Sequence, residues 1–292
     1  MKKYLFYDHG FKNGFNVIEM ERPGGREITA GIWNFPCSEG KPQWQIDQWY
    51  SKYCLWHQRE ESDPLTLTDG KTKWLKYDMT DNSLSMRLNA RNVYEGRAAG
   101  DELWPHLLLE QELHSYENIP EKDRRYYECD FSKLLLSLDI CMPEFVPTEN
   151  PEGINACQFF AYFYLTLKGS KNFIWFGVSL FDSRGLMDTY WHIDTVGTEM
   201  IYVLSTEDTF MGAENSFNVN GVDVSDKWKE LRLDLTPHLD KVIELANRDN
   251  TFKRQVKRED FYIRGNNIGF EVHGNMDCTV KIRNYNLIAE RD

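Results

Sequence analysis

Two glutamates, Glu110 and Glu112, stand two positions apart in the segment 104–114. If this segment is a β-strand, alternate side chains share a face, and the shared set is His106, Leu108, Glu110, Glu112 and His114. At about 3.3 Å per residue the two glutamates are roughly 6.6 Å apart at the backbone. Flexible carboxylates at that spacing suit the acid and base of a glycoside hydrolase. The alternative is the solvated polar face of an edge strand.

A second polar cluster contains Arg184, Tyr190 and His192, with Asp194 close behind them. A polysaccharide lyase uses these residue types, because arginine neutralises a uronate carboxylate while tyrosine or histidine moves the proton. The cluster therefore predicts a lyase site, or alternatively an ordered loop with a structural role. His192 is a candidate catalytic residue and Arg184 a candidate ligand-binding residue.

Aromatic residues dominate one face of two neighbouring predicted strands, 158–167 and 173–181. The face opposite the apolar one carries Gln158, Phe160, Tyr162, Tyr164 and Thr166 on the first strand, and Phe173, Trp175 and Phe181 on the second. Sugars stack on such rings while amides and hydroxyls bind their hydroxyl groups. We expect Gln158, Tyr162, Tyr164 and Trp175 to line a concave ligand-binding face. The alternative is a second core layer beneath a helix or long loop.

A further aromatic segment lies near the amino-terminal end, where Trp44 and Trp49 alternate with polar side chains. This segment contains Gln43, Gln45, Asp47 and Gln48. Stacking rings beside amides and a carboxylate are typical of sugar binding, so we predict a loop in which Trp44 and Trp49 bind ligand. His106 is a further candidate ligand-binding residue.

Elements that could position these residues are mostly strands. Period-two alternation is expected over 28–33, 84–89, 107–114, 134–140, 158–167, 173–181, 199–204, 230–235, 268–273 and 278–288. The clearest helix starts near Thr236 and Pro237. Segments 115–130 and 142–156 are predicted as long surface loops. The pattern predicts one all-β domain spanning 1–292, a two-sheet antiparallel sandwich of the jelly-roll type with one short helix near the C-terminus.

Composition excludes several classes of partner. The formal charge of −12 disfavours nucleic acid. No run approaches the roughly 20 apolar residues of a membrane helix. The first residues contain no apolar stretch long enough for a signal peptide, so a cytoplasmic protein is expected unless a leader has been removed. The six cysteines show no metal-site or redox spacing and are interpreted mostly as small buried hydrophobes rather than as disulfides.

The C-terminal third carries a family resemblance. The strand pattern of 228–235, the following helix, and the runs 261–273 and 277–288 resemble the closing strands of jelly-roll carbohydrate-binding modules and of the concanavalin A-like lectin and glucanase superfamily. The resemblance implies an oligo- or polysaccharide ligand, and folds of this kind often bind calcium, although no dense acidic loop supports such a site here and no cofactor is expected. The glucanase pattern of three spaced acids is reduced here to Glu110 and Glu112.

Three functions are therefore open. The first is carbohydrate recognition by an aromatic-lined face. The second is a glycan-degrading enzyme, either a glycoside hydrolase or a polysaccharide lyase. The third is a structural β-sandwich with no sugar ligand.

Overall fold

A computed structural model describes residues 2–20, 27–57, 59, 63–93, 104–113, 119–147, 155–184, 188–193, 200–205 and 225–292. In chain order its strands are β1 Lys2–Tyr4, β2 Phe15–Met20, β3 Glu27–Trp33, β4 Trp44–Asp47, β5 Thr66–Thr68, β6 Lys73–Asp78, β7 Ser83–Asn89, β8 His106–Glu112, β9 Lys133–Val146, β10 Ala156–Leu167, β11 Phe173–Asp182, β12 Tyr190–Ile193, β13 Met200–Leu204, β14 Ser225–Asp234, β15 Phe261–His273 and β16 Asp277–Glu290. The helices are α1 Ala90–Val93, α2 Glu121–Arg124 and α3 Thr236–Arg248, with a 3₁₀ turn at Arg258–Asp260.

The strands form two sheets, as the alternation predicts. The seven-stranded sheet has the order β14-β9-β16-β7-β6-β5, with β1 paired to β16. The nine-stranded sheet has the order β12-β13-β11-β10-β15-β8-β4-β2-β3. Most pairs are antiparallel, but β2 with β4 and β11 with β13 are parallel. The mainly β, two-sheet sandwich is thereby confirmed, with these two parallel pairs as a departure from the expected antiparallel pattern.

The hydrophobic core lies between the sheets. On β10 the core side chains include Phe159, Ala161 and Phe163, which belong to the large buried cluster that both sheets share. Their neighbours Phe160 and Tyr164 are buried as well but lie outside that cluster. Because side chains on a strand alternate, these two rings must lie on the opposite face of the nine-stranded sheet. That face is called the outer face below.

The predicted C-terminal helix is present as α3. It starts at Thr236 with Pro237 in its first turn, where the missing N–H costs nothing. Its buried residues are Leu239, Val242, Leu245 and Ala246, the helical spacing expected of a face packed on the sandwich. Among the described residues, no helix is long and apolar enough to cross a membrane.

Two loop predictions were wrong. Residues 44–47, predicted as part of a loop, form strand β4 between β2 and β8. Strand β9 continues through Pro143 to Val146, so the first five residues of the expected 142–156 loop are strand, and residues 148–154 lie outside the described part. The 115–130 segment includes α2 within its described portion, 119–130.

A buried lysine fixes the segment that follows β4. Lys73 is 1% exposed, and its Nζ donates to Gln48 Oε1 at 2.9 Å, Ser51 Oγ at 2.8 Å and the Tyr53 carbonyl at 2.7 Å. Burial lowers the pKa of Lys73 to about 8, and Asp69 partly offsets that shift. These three bonds hold residues 48–53 against β6, and so position Trp49 and Tyr50 between them.

Stability should therefore depend on pH through Lys73. The lysine pKa falls from 10.5 unfolded to about 8 folded, so the unfolded chain binds more protons in that window and stability rises with pH there. Between pH 7.5 and 9.5 the wild type should gain about 1–2 kcal/mol relative to Lys73→Met in urea unfolding. The control is Lys76→Met, which removes an exposed lysine of the same strand. An unfolding difference between wild type and Lys73→Met that is the same at both pH values would contradict the assignment.

Candidate active site

One row of residues crosses the outer face from edge to edge. The ladder pairs place in line one residue from each strand, namely Tyr190, Val203, Gly177, Tyr162, Asn267, Glu110, Gln45, Asn16 and Ile32. This set is called the outer row. With neighbouring strands about 4.8 Å apart, the outer row runs roughly 38 Å. It brings Glu110 and Tyr162, predicted from separate segments, to either side of Asn267.

Aromatic rings occupy the outer face beside Gly177. Tyr162 and Trp175 are each half-buried, and their rings meet edge to face with centroids 5.7 Å apart. A Cβ on residue 177 would lie 2.5 Å from the Tyr162 ring, so only glycine lets that ring lie across β11. The Tyr162 hydroxyl bonds to Tyr190. The half-buried rings of Tyr162 and Trp175 are called the aromatic platform below.

Tyr164 is buried but aims its hydroxyl at Glu110. Its Oη donates to Glu110 Oε2 at 2.6 Å and accepts from Asn267 Nδ2 at 3.0 Å. The Tyr164 ring packs edge to face on Trp175 at 4.7 Å. A Cβ on residue 265 would approach the Tyr164 ring to 3.1 Å, so Gly265 leaves room for it.

The surroundings of Glu110 shift the pKa of its carboxyl group. Burial raises the pKa of Glu110 to about 7, and the nearby Glu27 and Glu112 push it the same way. The Tyr164 hydrogen bond and the Arg264 guanidinium oppose the rise because they favour the charged form. An ordinary glutamate with a pKa of 4.5 is almost fully ionised at pH 7, whereas the raised pKa leaves Glu110 partly protonated there.

A second carboxyl group lies next to Glu110 but below the surface. Asp47 is fully buried on β4, and Gln45 Nε2 donates to both of its oxygens at 3.2 Å. Burial, together with the charge of Glu110, raises the pKa of Asp47 well above its ordinary value. The protonated form of Asp47 is thus favoured over the charged form, and the same burial and mutual repulsion act on both carboxyl groups.

Glu112 has the opposite environment from Glu110. Its side chain is 66% exposed, and within the described residues it approaches the cation of Arg264, whose Nε is 3.8 Å away. Arg264 itself lies over the rings of Tyr164 and Phe173. The two predicted glutamates therefore share one strand face, but Glu110 is desolvated and Glu112 is exposed to water. His114 lies outside the described residues.

Another polar cluster occupies one end of the outer face. His106 is buried, its Nε2 lies 3.6 Å from Glu271 Oε2, and its ring contacts those of Trp49 and Tyr50 at 5.6 Å. The backbone N–H of His106 donates to the Trp49 carbonyl at 2.8 Å. Thus His106 and Trp49, predicted from separate segments, lie together.

Side chains near β12 are already paired with one another. Arg184 donates to both oxygens of Asp182, and Gln158 Nε2 donates to the same carboxylate at 2.9 Å. Tyr190 and His192 are on β12, with rings stacked at 5.4 Å. Asp194 lies outside the described residues. Arg184 therefore carries a charge that Asp182 neutralises.

Trp44 does not lie on the outer face. It is 1% exposed in the core, where Nε1 donates to the Asp8 carbonyl at 3.0 Å and the ring meets those of Phe6 and Phe11. The alternation of β4 explains this placement, because Gln45 and Asp47 face outward and Trp44 and Ile46 inward.

Sequence reasoning missed Asn267 and Glu271 as members of the site. Both lie on β15, whose outward positions are visible only once its register to β8 and β10 is known. The signal that could have found them is the alternation of polar Asn267 and Glu271 with the apolar Ile268, Phe270 and Val272 within a long predicted strand. No group of three or more His, Cys, Asp or Glu side chains suited to a metal ion is found in the part of the chain that the structure describes.

Comparison with known proteins finds similar folds among glycoside hydrolases. A cellulase derived from that of Rhodothermus marinus is 10% identical over 75% of this chain and 87% of that chain, with a TM-score of 0.42. The family 12 xyloglucanase of Bacillus licheniformis is 11% identical over 84% and 97%, also at 0.42. The family 12 endoglucanase 3 of Trichoderma harzianum is 7% identical over 87% and 100%, at 0.32.

These solved structures are of the glucanase kind that the sequence pattern resembles. No protein family model matches the chain, and no curated protein sequence matches it. At such low identities and TM-scores the similarity assigns no role to any residue of this chain. Any role for a residue of this chain therefore depends on the geometry of its own site.

The Tyr164–Glu110 bond can be tested without any substrate. Tyr164→Phe leaves Glu110 without its donor and should destabilise the fold by about 1–3 kcal/mol in urea unfolding. The lost bond favours the ionised carboxylate, so the pKa of Glu110 should rise further in the variant. The loss should then be larger at pH 9 than at pH 5, because the variant continues to lose stability up to a higher pH than the wild type does.

Tyr162→Phe is the matched control, because its hydroxyl bonds to Tyr190 rather than to a carboxyl group. Its stability difference should be the same at the two pH values. A Tyr164→Phe loss that is equally large at pH 5 and pH 9 would contradict the coupling to Glu110.

Proposed function

We propose that this protein is a glycan-degrading enzyme, a glycoside hydrolase that holds an oligo- or polysaccharide along the outer face and cleaves it beside Glu110. The observation that carries the proposal is the placement of the Glu110 carboxyl group, which accepts a hydrogen bond from Tyr164 in line with the aromatic platform and whose pKa burial raises to about 7. A protein that only binds a glycan would require the aromatic rings but not a carboxyl group with a raised pKa.

Glu110 is assigned the role of general acid. Cleavage of a glycosidic bond needs a proton on the leaving oxygen, and a carboxylic acid with a pKa near the working pH donates it most effectively. Tyr164 and Asn267 fix the direction of the carboxyl group through two hydrogen bonds in series. The proton is therefore delivered from one defined position on the outer row.

Glu112 is assigned the role of the ionised carboxylate. It stands about 6.6 Å from Glu110 at the backbone, is exposed to water, and can be reached by a sugar ring on the same face. Asp47 is fully buried and cannot meet a substrate. Glu271 lies four positions beyond Asn267, the ladder partner of Glu110, which is roughly 13 Å along the strand. Distance and exposure thus favour Glu112 over both.

The aromatic platform is assigned to sugar binding. Trp175 and Tyr162 expose part of their rings next to Gly177, and the C–H face of a sugar can stack on such a surface. Asn267 Oδ1 accepts no hydrogen bond within the described residues, although the residue is buried beside Glu110. Because that oxygen is itself buried, it is, like Asp47, not assigned a contact with substrate.

Carbohydrate binding without catalysis is the second candidate, because the platform alone is sufficient for it. A lyase has less support, since the Arg184 guanidinium that should neutralise a uronate already pairs with Asp182. The two leading candidates differ in one respect. Only the hydrolase requires the proton of Glu110.

Replacement of Glu110 should separate catalysis from binding. Glu110→Gln keeps the volume and removes the acid, so hydrolysis of a responsive glycan, measured as released reducing ends, should fall by about 10² or more while binding persists. Wild-type activity should also decline above about pH 7 as the acid ionises. Glu112→Gln should cause a comparable loss, whereas Glu271→Gln should cause a smaller one.

The matched control is Glu230→Gln, which changes an exposed glutamate of the seven-stranded sheet. It should leave activity unchanged. If a glycan is cleaved equally fast by wild type and Glu110→Gln, Glu110 is not the acid and the assignment is wrong. If glycans bind and none is cleaved by the wild type, the binding function replaces the hydrolase.

The platform makes a separate prediction about affinity. Trp175→Ala removes one of two stacking rings and should weaken glycan binding about tenfold, since aromatic contacts of this kind contribute about 0.5–1.5 kcal/mol beyond their buried area. Trp228→Ala is the control, because that half-buried ring lies under Arg283 on the other sheet. Isothermal titration that gives equal affinities for the two variants would place the ligand elsewhere.

A further inference from the structure

Two cysteine side chains meet across the hydrophobic core. Cys157 lies on β10 of the nine-stranded sheet and Cys278 on β16 of the seven-stranded sheet, 121 residues apart in the chain. Both are fully buried, and their Sγ atoms are 2.8 Å apart. This contact is longer than the roughly 2.05 Å of a disulfide bond and needs only a small movement to become one.

The backbone on each side fixes this contact. Cys157 is paired with Val272 of β15, and Cys278 is paired with Leu88 of β7 and Phe145 of β9. Strand β15 ends at His273 and β16 begins at Asp277, so the chain crosses from one sheet to the other within three residues. The two thiols lie just inside this corner. Their approach is therefore set by the sandwich itself and not by a loose loop.

We propose that Cys157 and Cys278 are a covalent cross-linking site, at which a small-molecule disulfide oxidant joins the two sheets through an intramolecular disulfide. The thiolate of one cysteine attacks the oxidant and forms a mixed disulfide, releasing one thiol of the oxidant. The second cysteine then displaces the other half. Two thiols lose two protons and two electrons, and the oxidant disulfide becomes two thiols.

The site is protected once the protein has folded. Neither sulfur is exposed, and burial beside Cys157 raises the pKa of the Cys278 thiol well above its ordinary value. Since the thiolate is the reactive form, the folded protein exchanges slowly in either direction. The cross-link therefore forms while the chain folds, and afterwards resists reduction.

The cross-link would restrict movement of the outer face near Glu271. Val272, the ladder partner of Cys157, follows Glu271 on β15, and Gln158 follows Cys157 on β10. A bond closing a loop of 121 residues also restricts the unfolded chain strongly, which stabilises the folded one. This inference does not depend on the proposed hydrolase function.

The test is refolding in the presence of glutathione. The unfolded chain is refolded with an excess of oxidised glutathione, then denatured, alkylated with N-ethylmaleimide and examined by mass spectrometry. We expect four alkylated cysteines out of six, and a disulfide-linked peptide pair that contains Cys157 and Cys278. The oxidised protein should melt roughly 5 °C or more above the protein refolded with reductant.

Three variants make the result specific. Cys157→Ser and Cys278→Ser should each show no linked pair and no effect of oxidant on melting temperature. Cys129→Ser, which changes another buried cysteine, should keep both. Six alkylated cysteines in the refolded wild type, or a linked pair between other cysteines, would overturn the proposal even if one of the variants does not fold.

Discussion

The hydrogen bond from Tyr164 to Glu110 is the interaction on which the candidate site depends. A carboxyl group that is largely out of water is stable either when it is protonated or when hydrogen bonds stabilise its charge. Both effects act on Glu110, because burial raises its pKa and the bond from Tyr164 opposes that rise. The bond requires the Tyr164 ring to lie over Gly265, and it requires Asn267 to orient the hydroxyl. The position of Glu110 thus follows from three neighbours on β10 and β15, while burial is what raises its pKa.

A wider constraint is that the nine-stranded sheet buries side chains on both faces. Phe159 and Phe163 of β10 fill the core, while Phe160 and Tyr164 of the same strand are buried on the outer face. This is why β10 is apolar almost throughout, with its polar side chains limited to Gln158, Tyr162, Tyr164 and Thr166. Hydroxyl groups on such a face can form hydrogen bonds with titratable side chains that are shielded from water. Each such bond changes the pKa of the titratable side chain more than it would in water.

The sequence predicts the fold better than it predicts the site. Period-two alternation identifies the long strands β10, β11 and β16, because each is long enough to show several repeats. It does not identify β4, because a strand of four residues shows only two repeats. Trp44 is assigned to a loop for that reason. The outward face of β8 is predicted as the structure has it, with His106, Leu108 and Glu110 together.

Local sequence patterns do not predict which residues become neighbours through strand pairing. Asn267 is 157 positions from Glu110 and becomes its neighbour only through the ladder between β15 and β8. Lys73 likewise meets Gln48, Ser51 and Tyr53 through a fold-level contact. Such residues have ordinary sequence surroundings, and their role depends on register and burial.

The most direct test of the central claim is the ionisation of Glu110 in the free protein. The side-chain carboxyl carbon of Glu110 is followed by ¹³C NMR from pH 4 to 9 in protein labelled at glutamate, and Glu110→Gln identifies its signal. A desolvated carboxyl group bonded to Tyr164 predicts an apparent pKa of about 7. An apparent pKa near the ordinary value of about 4.5 would show that Glu110 is solvated, and would contradict its assignment as the acid.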